Sequence, residues 1–147
     1  MAKVLKDMPL VDLTLRKFER PSNEDTYGLL RKFCISLGLL QPGDSRDIIV
    51  DILNLFLNAK KEQKFYSSSD VESMLKQMKT EGTAASNIRR QILRLEKIGL
   101  IEKTSKGYRI REFLGLSKIM DDYIRQFIIE PTFKRIHEYA EEIDKRL

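Results

Sequence analysis

"GTAASNIRRQILRLEKIGLIEKTSKGYRI", residues 82–110, holds a glycine turn, a polar–apolar helical pattern, a second glycine and two short runs joined by Lys106-Gly107. At about 100° per residue, with Ile88 set toward a core, Ile92 and Leu95 fall within about 40° of it and Gly99 continues the line. Ser86, Arg90, Leu93 and Lys97 then point the other way. Asn87 and Arg94 occupy one shoulder and Arg89 the other. The spacing predicts a helix from about Ala85 to Ile98, ended by Gly99, where left-handed geometry is common. "LIEKTS" and "YRIRE" read as two short strands of a hairpin.

Charge singles out the same stretch. The 147-residue chain carries 27 basic and 22 acidic side chains, a net charge of +5. Residues 84–111 hold eight of the basic residues and two of the acidic ones, so the whole excess sits there. A localised positive field is the electrostatic footprint of a nucleic-acid contact.

Outward from this stretch, residues 10–18, "LVDLTLRKF", alternate through Val11, Leu13 and Leu15 and predict a strand. Leu30, Phe33, Cys34 and Leu37 recur at helical spacing, with Ser22, Asn23 or Asp25 as possible caps and 39–43, "LLQPG", closing the segment. Asp44 can cap the next helix, whose residues Ile48, Ile49, Ile52, Leu53, Leu55, Phe56 and Ala59 form a wide apolar stripe. Ser69 and Glu72 have the form of a capping box before a short helix marked by Val71, Met74, Leu75 and Met78. From Phe113 onward the pattern is helical again, with Pro131 as a boundary or kink.

The order helix, helix, glycine turn, helix, two-stranded ribbon is that of a winged helix-turn-helix, whose third helix enters the major groove while the ribbon flanks it on the backbone. The chemistry is apt: Arg spans the two acceptors of guanine, Asn pairs with adenine, and Arg and Lys neutralise phosphate. The expected fold is therefore mostly α (α+β). A strand-and-helix extension spans 1–43, a winged helix-turn-helix 44–111, and a helical dimerisation region 112–147.

The stretch 82–110 also resembles the helix-turn-helix and wing of prokaryotic winged-helix transcription regulators, with their small-residue turn, polar helix start, basic wing and Leu-Glu-x-x-Gly-Leu-Ile exit. Here the exit is Leu95-Glu96-Lys97-Ile98-Gly99-Leu100-Ile101. The flanks "RKFCISLGLLQPGDSRDIIVDIL" and "FIIEPTFKRIHEYAEEIDK" are similar to small archaeal proteins described as regulators of this kind. The resemblance implies reading-helix roles for Ser86, Asn87, Arg89, Arg90 and Arg94, and wing roles for Lys103, Lys106 and Arg109; Lys97 joins the same outward face. Many such regulators begin the reading helix on Ser or Thr where this chain has Ala84, so Thr83 or Ser86 would have to cap it.

Other chemistries find little support. Cys34 lies on an apolar helix face and reads as a small buried hydrophobe. His137 is the one histidine, and one His with one Cys exclude a zinc site of the usual nitrogen and sulfur type. Asp121-Asp122 and Glu141-Glu142 sit in mixed-charge helical surroundings, and no Gly-rich phosphate loop is present. The expectation is no enzyme, no cofactor and no metal. A single cysteine excludes an internal disulfide and points to the cytoplasm, and no apolar run approaches a membrane span.

In the C-terminal region Leu116, Met120, Tyr123 and Phe127, and beyond Pro131 Ile136, Tyr139 and Ile143, form apolar stripes that point to homodimerisation. The expected partners are double-stranded DNA and a second copy, with no membrane. The rival reading is a winged-helix adaptor, a subunit that holds another protein in a larger assembly.

Overall fold

Residues 12–43, 47–78 and 81–147 are described by a computed structural model. Asp44, the expected cap, and Leu10 and Val11 of the expected first strand lie outside the described residues. The fold is mostly helical with one small antiparallel sheet. No helix among the described residues is long and apolar enough to cross a membrane.

Helix α1 (Thr26–Ser36) starts on Asp25, whose carboxylate accepts the Gly28 N–H at 2.8 Å. It ends in a Schellman turn: Gly38, at φ +71°, donates to Ile35 O and Leu39 to Cys34 O. Helix α2 (Ile48–Lys60) is the centre of the molecule and packs against α1, α3, α4 and the hairpin. Its Ile49, Val50, Ile52, Leu53 and Phe56 are at most 3% exposed. The Tyr27 hydroxyl donates to the Asp47 carboxylate at 2.6 Å, fastening α1 to the start of α2.

Helix α3 (Ser68–Lys76) is opened by a capping box two residues earlier than the one expected at Ser69 and Glu72. The Asp70 N–H donates to Ser67 Oγ and the Ser67 N–H to the Asp70 carboxylate. The chain is extended just before this point because Tyr66 forms a two-hydrogen-bond bridge with Tyr108, at 2.9 and 2.8 Å. Helix α4 (Ala85–Lys97) buries Ile88, Ile92 and Leu95 as the wheel requires. Strands β1 (Ile101–Thr104) and β2 (Gly107–Ile110) pair in register from Ile101 opposite Ile110 to Thr104 opposite Gly107.

A turn, Arg111–Phe113, leads into a helical run of Leu116–Ile119 (α5), a π-wound stretch Met120–Ile129, and Glu130–Arg146 (α6). The π winding sits immediately before Pro131: the Glu130 N–H donates five residues back to Arg125 O, and Pro131 has no N–H to continue a ladder. The expected boundary at Pro131 is there.

The expected strand over residues 10–18 is not: its described part, from Asp12, pairs with no strand. With Leu13 half-buried, the segment serves instead as a strap across the end of α1. The Arg16 N–H donates to Ser36 O at 2.8 Å, and its guanidinium to Leu40 O at 3.2 Å and Gln41 Oε1 at 2.8 Å. The bond to Ser36 O satisfies a carbonyl that the helix end leaves without a partner, and with the guanidinium bonds it holds the segment without a neighbouring strand.

Cys34 is fully buried, and burial pushes its thiol up to about 12. The native protein should therefore leave Cys34 unmodified by iodoacetamide at pH 8, whereas protein unfolded in urea should react at once. Equal rates in the two states would show that the pocket around Cys34 is open.

Candidate nucleic-acid interface

The α4 helix begins on Ala84, whose extended backbone serves as N-cap with no side-chain hydrogen bond. Neither expected cap is used: Thr83 is 5% exposed and faces inward, and Ser86 lies exposed within the first turn. The helix start is instead braced by Asn87, whose amide donates to Gly82 O at 2.8 Å across the preceding turn.

Asn87 opens a polar rail along the shoulder of the helix. Its Oδ1 accepts from Gln91 Nε2 at 3.2 Å and from Arg90 Nη2 at 2.8 Å. Gln91, 8% exposed, in turn accepts from Arg94 Nη1 at 2.8 Å, and Arg94 Nη2 donates to Leu39 O at 3.0 Å. Two expected reading residues therefore have structural work. Arg94 ties α4 to the exit of α1, and Asn87 ties it to the Gly82 turn. Sequence reasoning passed over Gln91, although an amide 60° from Ile88 on the core side signals a buried polar partner.

The outward face is different. Ser86, Arg89, Arg90, Leu93 and Lys97 are all exposed. The exposed helices elsewhere are laced with cis ion pairs, among them Lys76–Glu72, Lys118–Asp122, Arg125–Asp121 and Arg146–Glu142. Among the described residues no carboxylate pairs with Arg89, Arg90 or Lys97. Of these three, Arg90 alone is held, through its one bond to Asn87.

The hairpin divides its cations into two sets. Lys103 and Lys106 are exposed near the turn at Ser105-Lys106, each lying over an aromatic ring: Tyr108 at 5.8 Å and Phe65 at 5.6 Å. Arg109 and Arg111 instead converge on Glu102, whose carboxylate accepts from Arg109 Nε at 2.8 Å, Arg111 Nη1 at 3.3 Å and the Glu112 N–H at 2.9 Å. Arg109, expected in the wing, shares the single Glu102 carboxylate with Arg111, and its guanidinium is stacked 4.9 Å from the Phe113 ring centroid. Glu102, the lone acid in the hairpin, was the available signal for this hub. It also holds Glu112 and Phe113 in left-handed conformations, φ +51° and +55°, that such residues seldom adopt.

Of the residues expected to mediate dimerisation, Leu116, Met120 and Tyr123 pack partly buried against the core, beside buried Ile119 and Ile124. They are part of the body of the protein. Phe127 is 64% exposed, and Ile136, Tyr139 and Ile143 remain uncovered on α6.

No known protein-family model matches the chain, and no curated protein or solved structure is detectably similar to it.

Proposed function

We propose that the chain is a winged helix-turn-helix protein that binds double-stranded DNA through α4 and the β1–β2 hairpin and so regulates transcription. The element order supports the reading: α2, a short extended position at Tyr66 joined to the hairpin, α3, a glycine turn, α4, then two antiparallel strands.

The observation that carries the proposal is the set Arg89, Arg90, Lys97, Lys103 and Lys106. These are exposed cations gathered on α4 and the adjoining hairpin, none with a carboxylate partner among the described residues, whereas Lys76, Lys118 and Arg125 on other helices are each paired. Repulsion between like charges with no compensation is relieved when a polyanion lies against them. Phosphate neutralisation supplies affinity, and Arg90, oriented by Asn87, is the side chain best placed to choose a base.

Affinity for duplex DNA, measured across salt concentrations, tests this. Five neutralised phosphates give a log–log slope of up to about −4.5 per protomer. Lys106→Ala should weaken all duplexes alike and make the slope less steep by about 1. A specific feature favours the second reading, an adaptor for another protein: Leu93, 54% exposed in the middle of the same face. That reading expects no binding to duplex at any salt concentration, whereas in the DNA reading Leu93 packs on a thymine methyl.

A further inference from the structure

We infer that α6 pairs through its apolar seam with α6 of a second copy of this chain. The inference stands whether or not the protein binds DNA. It rests on a helix of 17 residues in which no side chain is buried. An isolated helix of this length is marginal in water, and helices in proteins draw most of their stability from packing an apolar face.

That face is present and uncovered. Phe133, Ile136, Ala140, Ile143 and Leu147 follow one another at intervals of three, four, three and four residues, the spacing of a coiled-coil seam. With Tyr139 they lie within an arc of about 120° on the helix, an arc that contains no charged side chain. Phe133 is 69% exposed, Ile136 61%, Tyr139 68%, Ile143 53% and Leu147 101%. At about 150–200 Å² per large side chain, that is roughly 500–700 Å² of side-chain surface. It approaches the ~800 Å² per partner of a standard interface, so the exposed stripe suffices for a specific but modest pairing.

The occupant is a second copy of the chain: a charge-free stripe of this spacing is self-complementary across a two-fold axis, and an identical helix presents the same stripe in return.

The test uses the full chain. Light scattering at tens of micromolar should give twice the monomer mass. Ile136→Glu should give the monomer mass with an unchanged thermal midpoint for the body, because Ile136 touches no part of the core. A monomeric or larger-than-dimeric wild type, or a dimer that survives Ile136→Glu, overturns the pairing.

Discussion

Gly99→Ala is expected to lower the stability of the protein by about 2–5 kcal/mol. Gly99 ends α4 at φ +90°, donating to Glu96 O at 3.0 Å while Leu100 donates to Leu95 O at 3.1 Å. Left-handed backbone costs a side-chain-bearing residue roughly 1–2 kcal/mol. The second contribution is steric. A Cβ at this position would lie 2.2 Å from Tyr123 Cε1 and 2.5 Å from Cδ1. The ring has little room to retreat, because the Arg111 guanidinium sits 3.6 Å from its centroid and donates through Nε to Gly99 O at 2.7 Å. Overpacking of this kind costs about 1–3 kcal/mol. Against a total stability of roughly 5–15 kcal/mol for proteins of this kind, the loss is severe. Urea denaturation of the single and double variants separates the two parts. In Gly99→Ala with Tyr123→Ala the steric part should vanish, leaving a coupling between the sites of about 1–3 kcal/mol. Additive losses would mean that Tyr123 does not lie on Gly99.

The same glycine shows how far the sequence could be read. An apolar stripe of Ile88, Ile92 and Leu95 followed by Gly99 specifies a helix and its end by local chemistry alone, and both are where the pattern puts them. Local chemistry is less decisive where it offers two answers. "SSSDVES" contains both Ser67-x-x-Asp70 and Ser69-x-x-Glu72 as capping boxes. The choice is made by Tyr66, which must be extended to pair with Tyr108, 42 positions further on. The N-terminal alternation did not make a strand, since a strand also needs a neighbour and Arg16 supplied a different anchor. The role of Arg94 was illegible for a related reason. Arg94 donates to Leu39 O, 55 residues away, and no spacing rule within α4 can reveal that acceptor. Likewise one apolar pattern ran through Leu116 to Ile143, and only the packing divides it into a half that meets the core and a half that does not.

Arg90→Ala is expected to reduce affinity for a preferred duplex by about 1–3 kcal/mol, roughly fivefold to 150-fold, and to relax the choice of base at one position. Arg90 makes a single side-chain hydrogen bond among the described residues. Nη2 is held by Asn87 Oδ1, which is itself fixed through the amide bond to Gly82 O, so the guanidinium reaches a base edge already oriented. Arg89, next to it, has no such tether; Arg89→Ala should weaken every duplex by a similar factor and change no preference, the behaviour of a phosphate contact. Arg94→Ala provides the contrast from inside the fold: it removes the bonds to Leu39 O and Gln91, so its loss should register in urea denaturation more than in binding. Binding of the three variants to a pool of random duplexes, with selection and sequencing, distinguishes these roles. If Arg90→Ala loses the same factor on every sequence, Arg90 is a phosphate contact and sequence choice resides elsewhere. If Arg94→Ala flattens the preference at unchanged stability, the rail along α4 opens on binding and Arg94 is the reader.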